Sequence, residues 1–209
     1  MFGLVVVVVG LIYLAVLIAV TRFAYSAAKK RGYSKAKCRL AAAGGFLIVY
    51  LPLFWDHIPT VVTHQYYCVT EAGFWEYKTV DQWKGENPGV MEGLPAPRST
   101  GSPTKYDQFD DGYGETFTYL LNERFNWIIA QHDISSMLPI IRTEQQVKDI
   151  EKNEVLARYI DYSTGNSVKT PIGPPGPLKF WLRSQHCIGG ANNQDNLRGF
   201  RDHFYGSKK

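Results

Sequence analysis

FGLVVVVVGLIYLAVLIAVT, from Phe2 to Thr21, is a run of twenty uncharged residues. As an α-helix rising 1.5 Å per residue it is about 30 Å long, which matches the hydrocarbon core of a bilayer. A lone strand is disfavoured, because lipid would leave its backbone groups unpaired. The run therefore predicts a membrane-spanning helix. A cleaved signal peptide is the alternative, with small residues from Ala24 to Ala28 near a cleavage position, but no basic segment precedes the run.

A second apolar segment, LAAAGGFLIVYLPLFW, covers Leu40 to Trp55 and is about 24 Å long as a helix. Arg39 can extend to one interface, and the aromatic end of the segment suits the other. Pro52 is expected to bend the helix, and Gly44 with Gly45 offers a small-residue face for close helix packing. The alternative is a buried helix of a soluble core. We predict a transmembrane hairpin over residues 1–57, with spans at about 2–21 and 40–55.

The charges of the first 55 residues are confined to the loop between the two spans. This loop, residues 22–39, holds all seven bases and no acid: Arg22, Lys29, Lys30, Arg31, Lys35, Lys37 and Arg39. The positive-inside rule places it in the cytoplasm and both termini in the periplasm. The rest of the chain has 16 of the 23 Lys and Arg residues against all 19 Asp and Glu residues. That part therefore carries a net charge of 16 − 19 = −3. A negative net charge argues against a nucleic-acid partner, because phosphate binding needs clustered bases.

Residues 58–209 are predicted to form a periplasmic α+β domain built on an antiparallel sheet. HIPTVVTHQYYC is expected to be a helix kinked at Pro59, with Val61, Val62 and Tyr66 as its packing contacts. Gly73 to Lys78 has the pattern of a strand. The capping box from Thr79 to Gln82 predicts a short helix through Trp83. Residues 93–114, rich in Pro, Gly and Ser, are expected to form a long mobile loop.

The second half of this domain contains the strongest hairpin signal. Residues 140–150 and 155–163 alternate as strands around a turn in which Asn153 tolerates the left-handed conformation. The pattern over residues 117–130 leaves helix and strand open. Leu178 to Leu182 is a further strand candidate. Leu197, Phe200 and Phe204 are spaced for a C-terminal amphipathic helix.

Four long motifs carry a resemblance to a known group of proteins. They are YLPLFWDHIPT, HQYYCVTEAGFWEYKTVDQWKGENPGV, NEVLARYIDYSTG and PLKFWLRSQHC, and the resemblance covers most of the chain outside residues 93–114. In these motifs the chain resembles a group of small, uncharacterised proteobacterial inner-membrane proteins. The resemblance implies a bacterial inner-membrane location and no particular chemistry.

The three cysteines divide between compartments under this topology. Cys38 lies in the cytoplasmic loop, whereas Cys68 and Cys187 lie outside, where we expect them to form a disulfide. The alternative is a Cys2His2 metal site in which His64, four residues from Cys68, and His186 complete the ligand set. Adjacent His186 and Cys187 would point apart in a strand, which disfavours the metal.

Other chemistry is poorly supported by the sequence. Four acids could gather a hard cation such as Ca²⁺, although a solvated turn is the preferred interpretation: Asp107, Asp110, Asp111 and Glu115. His132 and Asp133 are potential hydrolase parts, but no Gly-x-Ser-x-Gly elbow is present. No Cys-x-x-Cys-His run or glycine-rich phosphate loop indicates a cofactor. We therefore assign no catalytic residue and no cofactor.

A dense aromatic set precedes and follows the predicted strand at Gly73: Tyr66, Tyr67, Phe74, Trp75, Tyr77 and Trp83. Tyr and Trp are typical interface anchors, although such residues more often form the core of a small domain. With the lipid bilayer as one partner, the leading hypothesis is a non-enzymatic accessory or assembly protein that binds another protein. The alternatives are a periplasmic sensor or immunity-type binding module and a membrane-anchored enzyme.

Overall fold

The computed structural model describes residues 2–94, 102–109, 112, 114–135, 137–165 and 185–204. The chain separates into two compact units, Met1–Ile58 and Pro59–Lys209. The first unit contains the apolar N-terminal helices, and the second contains an antiparallel sheet with shorter helices. The predicted division into an apolar helical region and an α+β domain thus corresponds to two separately packed parts of the chain.

Two long helices form the first unit. α1 covers Phe2–Lys30 and α2 covers Lys35–Phe54. Gly32 ends α1 with a left-handed φ of 76°. The Gly32 N–H then donates to the Lys29 carbonyl and the Tyr33 N–H to the Ala28 carbonyl, which is the Schellman pattern. Both helices therefore run through most of the predicted loop 22–39, and only residues 31–34 connect them. The prediction of a long loop was wrong because residues 22–31 contain no Gly or Pro that would end the helix earlier.

α1 and α2 pack closely against each other. The Tyr13 hydroxyl donates to the Val49 carbonyl at 3.0 Å. Gly45 is buried in the contact, where an added Cβ would lie 2.9 Å from the Cβ of Ala24. Since Tyr13 meets Val49 and Ala24 meets Gly45, the two helices are antiparallel. Pro52 lies inside α2, in its last turn. The small-residue contact predicted for this segment thus involves Gly45.

The outward-facing side chains of this hairpin are large, apolar and exposed. Leu11, Leu40 and Ile48 are examples. A helix in the core of a soluble protein buries such side chains, and α2 differs from such a helix in this respect. By length and composition both helices could cross a membrane. The seven bases lie at one end of the hairpin, on the last turns of α1, in the connection and on the first turns of α2.

A six-stranded antiparallel sheet forms the centre of the second unit. Its spatial order is β1-β6-β5-β4-β3-β2. The bounds of the strands are β1 Gly73–Glu76, β2 Lys105–Gln108, β3 Gly114–Leu120, β4 Phe125–Asp133, β5 Ile140–Asp149 and β6 Glu154–Thr164. β1 and β2 are therefore the edge strands. The predicted β5–β6 hairpin is confirmed, with Asn153 at a φ of 54° in its turn and a bulge between Val147 and Lys148.

Four helices accompany the sheet. They are α3 at His57–Thr70, α4 at Val80–Glu86, α5 at Val90–Gly93 and α6 at Gly190–Asp202. The capping box predicted for α4 is confirmed: the Thr79 side chain accepts from the Gln82 N–H, and the Gln82 side chain accepts from the Thr79 N–H. The C-terminal amphipathic helix is also confirmed, and Leu197 and Phe200 are buried on α6.

Several sequence predictions for this unit were wrong or fall outside the described residues. β2 lies within residues 93–114, which were predicted to be a loop throughout. Residues 117–130, left open between helix and strand, belong to β3 and β4. Pro59 lies in the first turn of α3, where no N–H is needed, and so it marks the start of the helix. The candidate strand at 178–182 is not among the described residues.

Two clusters of buried side chains hold the second unit together. The larger cluster lies between α4, α6 and one face of the sheet and comprises Trp83, Leu121, Phe125, Val147, Leu156, Ala157, Tyr159, Leu197, Phe200 and Phe204. The smaller cluster joins β5 and β6 to α3 and comprises Ile140, Ile160, Tyr162 and Cys187, with Tyr67 and Cys68 packed against it. α3 is therefore an integral part of the sheet domain.

Asp149 is a fully buried acid at the end of β5. Its carboxylate accepts from the Trp83 indole N–H at 2.9 Å and from the Arg124 side chain. The backbone N–H groups of Glu151 and Lys152 also donate to it. Burial raises the pKa of Asp149, but these hydrogen bonds outweigh burial, and the pKa is lowered overall. The carboxylate is therefore ionised and fully bonded in the core.

Candidate functional site

Cys68 and Cys187 form the predicted disulfide. Cys68 lies in the last turns of α3, and Cys187 lies in the segment that enters α6. The backbone N–H of Cys187 donates to Asp161 at 3.1 Å, and His186 forms a bridge with Ser163 of β6. The bond therefore links α3 covalently to a segment that is already paired with the sheet.

His64 lies beside this disulfide and is buried. Its Nε2–H donates to the Tyr162 carbonyl at 3.0 Å, and the same nitrogen is 3.4 Å from the Cys68 sulfur. The ligand atoms of His64, Cys68 and Cys187 lie within 4.8 Å of one another. Thiolates are the metal-binding form of cysteine, so these three residues could hold a soft metal only after the disulfide is reduced.

His186, the fourth member of the alternative metal set, lies apart from this cluster. Its Nδ1–H donates to Asp161 at 2.6 Å, and its side chain is largely exposed. His186 and Cys187 point to opposite sides of an extended segment, as expected for neighbours in a strand. The structure thus brings together His64, Cys68 and Cys187, whereas His186 is bonded to the buried carboxylate of Asp161.

The six aromatic residues proposed for partner binding fall into two groups. Trp83 is fully buried in the larger cluster, Phe74 packs against the same cluster, and Tyr67 stacks on Tyr162 with ring centroids 4.9 Å apart. These three residues are part of the core. Tyr66, Trp75 and Tyr77 are exposed by 61%, 39% and 56%. Only the exposed group is available to a partner.

Trp75 and Tyr77 share one surface with arginine residues of the neighbouring strands. Trp75 is the register partner of Arg158 on β6. Burial lowers the pKa of Arg158, but hydrogen bonds with Glu144 and Tyr77 outweigh burial and raise it overall. We call the residues Trp75, Tyr77, Glu144 and Arg158, with Arg142 beside them, the β1 surface. The sequence analysis did not identify its charged members, Arg142, Glu144 and Arg158, because their position beside Trp75 depends on strand register. The available signal was the alternation of residues along β5 and β6.

Glu144 anchors the charged part of the β1 surface. Its two carboxylate oxygens lie 2.6 Å from Arg158 and 2.6 Å from Arg142. Burial raises the pKa of Glu144, but bonds from Arg158, Gln146 and Arg142 outweigh burial, and the pKa is lowered overall. Two guanidinium groups on one carboxylate leave the surface with one net positive charge. The side chains are held in place before any partner arrives, which reduces the entropy lost on binding.

Trp75 is also held in position by its own strand. A Cβ placed on Gly73 would lie 3.0 Å from the Trp75 ring, so the indole rests against the bare backbone of that glycine. β1 is an edge strand, and among the described residues no strand pairs with its outer side. The ring is therefore exposed and fixed at the border of the sheet.

The described members of the acidic cluster do not converge. Asp107 pairs with Lys105 at 2.7 Å, and Glu115 accepts from the Tyr106 hydroxyl at 3.2 Å. Asp107 faces Thr116 across the strand pair, one position from Glu115, so the two acids point to opposite faces of the sheet. Asp110 and Asp111 are outside the described residues. His132 and Asp133 are likewise neighbours on β4 and lie on opposite faces.

An open cleft of about 490 Å³ lies beside the Arg124 side chain. Val90, Leu94 and Ile150 form part of its apolar lining. Arg124 forms ion pairs with Asp149 and Glu151, so its charge is already compensated. The cleft therefore offers no uncompensated charge of Arg124 to an anionic ligand.

The described residues thus present one preorganised surface of aromatic and arginine side chains and a disulfide beside a buried histidine. Such a surface suits recognition of another protein, in which Trp, Tyr and Arg supply most of the binding energy. The comparisons with known proteins add no assignment: no protein-family model, curated protein or solved structure matches this chain.

Proposed function

We propose that this chain is a non-enzymatic accessory or assembly protein of a membrane complex in the bacterial inner membrane. The α1–α2 hairpin anchors it in the bilayer, and the sheet domain lies in the periplasm and binds a protein partner. The observation that carries the proposal is the β1 surface, a preorganised face on which Trp75 and Tyr77 are exposed and Arg158 is half-buried beside them. The three steps of support concern the anchor, its orientation and the binding surface.

The anchor is supported by length, composition and exposure together. α1 has 29 residues and α2 has 20, and neither contains an acid. Their outward side chains are large and apolar, and they are exposed in the hairpin. Exposure of such an area to water is unfavourable by about 25 cal/mol per Å². Lipid contact removes this cost, so the hairpin belongs in a bilayer.

The orientation follows from the position of the bases and from the disulfide. All seven bases lie around the connection between α1 and α2, which the positive-inside rule assigns to the cytoplasm. Both ends of the hairpin then face the periplasm. The Cys68–Cys187 disulfide is typical of proteins in that oxidising compartment, whereas cytoplasmic thiols stay reduced.

The binding surface has the composition of an interface hot spot. Trp, Tyr and Arg are the residue types enriched at such positions. Trp75 stands on the edge strand β1 and Tyr77 directly follows it, which leaves space for a partner beside the sheet. Glu144 fixes Arg158 in place, so that the guanidinium group is directed before binding. A partner with an acidic and aromatic contact face fits this surface.

The proposal is tested by crosslinking in cells followed by affinity purification in mild detergent. The unmodified chain is compared with the Trp75→Ala/Tyr77→Ala double variant and with Tyr106→Ala as the matched control. Tyr106 is an equally exposed aromatic residue on the opposite edge strand. We expect the double variant to recover at least about tenfold less partner, because hot-spot truncations cost about 2 kcal/mol each. Quantitative mass spectrometry measures the recovery.

Tyr106→Ala is expected to recover the partner at the level of the unmodified chain. Recovery of the chain alone in every sample would overturn the proposal of an accessory subunit. Equal recovery by the double variant would keep a partner but remove the β1 surface as its binding site. The folded state of each variant is checked by its thermal unfolding midpoint before the comparison.

A further inference from the structure

α3 exposes an apolar face on the side opposite its packing face. Its inner side chains include Thr60 and His64, which are buried; His64 donates to the Tyr162 carbonyl of β6, and Tyr67 and Cys68 pack on the smaller cluster. Its outer apolar side chains are exposed by 59% at Ile58, 40% at Val61, 62% at Val62, 61% at Tyr66 and 83% at Val69. We call these five residues the outer face of α3. Val61, Val62 and Tyr66 were predicted to be packing contacts, and that prediction was wrong.

The outer face is a continuous stripe along the helix. At 100° per residue its five members fall within an arc of about 140°, centred opposite His64 and Tyr67. Gln65 is the polar residue of α3 within that arc. A surface helix of a soluble domain normally turns its charged and polar residues outward. α3 is reversed in this respect, since its polar His64 and Thr60 face inward and its apolar residues face outward.

The helix also lacks charge. Among the 14 residues HIPTVVTHQYYCVT there is no Lys, Arg, Asp or Glu. Contiguous apolar patches on soluble domains are uncommon and indicate a binding surface for a protein or a membrane. A partner protein would be expected to require some charge for specificity at the rim of the contact, and α3 itself supplies none. Lipid makes no such demand.

Chain connectivity selects the membrane surface as the occupant. α2 ends at Phe54 and α3 begins at His57. Three Cα steps of 3.8 Å span at most about 11 Å, so the first turn of α3 cannot leave the level at which the hairpin exits the bilayer. Trp55, which lies in the connection, is exposed, and Tyr66 lies on the outer face. Trp and Tyr are the residues enriched at this depth of the membrane.

We infer that α3 lies in the periplasmic interface of the bilayer, with its outer face among the lipid headgroups and upper acyl chains. The inference rests on the proposed function, because it requires the hairpin to be inserted. α3 then serves as an interfacial helix whose other side is covalently fixed to the sheet domain through Cys68.

The test is site-specific photocrosslinking on the full chain in nanodiscs of defined phospholipids and, separately, in cell membranes. A diazirine amino acid replaces Val69 on the outer face, Ile48 on α2 or Tyr106 on β2, all of which are exposed. We expect phospholipid adducts at Val69 and at Ile48, detected as mass shifts of the intact protein. Tyr106 is expected to yield less than about one tenth of the Val69 adduct, as an exposed position far along the chain from α3.

Each pattern of adducts decides a different question. Adducts at Ile48 without adducts at Val69 would overturn the interfacial position of α3 and leave the inserted hairpin intact. No adduct at either position would overturn membrane insertion and with it the proposed function. A protein adduct at Val69 in cell membranes, in place of lipid, would assign the outer face to a partner and overturn the inference. Because all three positions are exposed, the substitutions leave the packing of the core unchanged.

Discussion

Asp149 shows how a single side chain can fix the arrangement of three elements. The Trp83 indole of α4, the Arg124 side chain between β3 and β4, and the backbone after β5 all donate to its carboxylate. Arg124 in turn donates to Asn87, whose side chain donates to the Trp83 carbonyl. The result is a closed network at the border of the larger cluster, in which removal of one member leaves several buried groups without a partner.

We predict that Asp149→Ala lowers the free energy of unfolding by about 3 to 5 kcal/mol, the usual loss when one partner of a buried ion pair is removed. The physical reason is that the Trp83 N–H then remains buried without a partner and Arg124 loses its buried ion pair, keeping only Asn87 and the exposed Glu151. The measurement is thermal or urea unfolding of the full chain in detergent, followed by tryptophan fluorescence. Asp107→Ala is the control, because it removes only the exposed ion pair with Lys105 and should cost less than about 1 kcal/mol.

Asp149 also predicts the acid sensitivity of the domain. Its pKa is lowered in the folded state, so its contribution to stability is present above the ordinary Asp pKa of about 3.9 and is lost as pH falls below that value. Asp149→Asn retains the shape but cannot ionise, and its stability should depend less on pH between 5 and 2. An equal pH dependence in both proteins would contradict the ionised state described for this carboxylate.

The roles of single residues could be predicted only where neighbours in sequence decide them. The capping box at Thr79 and the left-handed Asn153 are local features, and both are confirmed. Trp83 was assigned to partner binding but is buried, because Asp149, 66 residues away in the chain, bonds its indole N–H. The sequence shows how many aromatic residues could serve as binding anchors. Long-range packing decides which of these residues are exposed to a partner.

At the scale of elements, the α1–α2 contact depends on a single absent side chain. We predict that Gly45→Leu separates the two helices, since even a Cβ at this position would lie 2.9 Å from Ala24. Gly44→Leu is the matched control, because a Cβ on Gly44 has no heavy atom within 4 Å. Both changes replace glycine with the same apolar side chain, one position apart in α2, so they differ only in the helix contact.

The measurement is the distance between spin labels at Leu14 and Ile48, both exposed on the hairpin, in a chain whose Cys38 is replaced by Ser. Gly45→Leu should lengthen the mean distance by several ångströms and broaden the distribution, whereas Gly44→Leu should leave it unchanged. An identical distribution in the two variants would show that the small residue is not required for packing.

Strong periodicity allowed whole elements to be predicted, and weak periodicity did not. The β5–β6 hairpin and α6 follow from clear alternation and from a helical spacing. β3 and β4 were ambiguous because each has side chains half-buried on both faces, so their apolar residues do not alternate. β2 was missed because all four of its residues are exposed on the edge of the sheet. The charged members of the β1 surface were missed because strand register, which places Arg158 and Glu144 beside Trp75, is not a local property of the sequence.

At the scale of the whole molecule, the seven bases predict the topology. A phosphatase reporter that folds only outside the cytoplasm should be active when it is fused after Lys209 and inactive when it is inserted at Gly32. Replacing all seven bases with Gln should produce a mixed population, because the charge difference that orients the hairpin is removed. Reporter activity relative to the amount of fusion protein is the measurement.

A reporter after Lys209 that is active only in the cytoplasm would contradict this orientation. The state of Cys68 and Cys187 then provides an independent check, since non-reducing peptide mapping of chains from intact cells should recover them as one linked pair. Free thiols at both positions would place the domain in a reducing compartment. Cys38, which is free and buried on α2, serves as the internal standard for the thiol-labelling step.

The pairing of β1 with β6 has a consequence for the order of assembly. Gly73 meets Ile160 and Cys68 meets Cys187, so among the described strands the earliest one has no neighbour until β6 has been synthesised, and its helix has no disulfide partner until Cys187 follows. During this interval the nascent chain carries an open strand and an unmatched thiol, which are sites for misassociation and for holding chaperones. The yield of folded protein then depends on how soon β6 and Cys187 follow β1 in synthesis as well as on the stability of the finished fold.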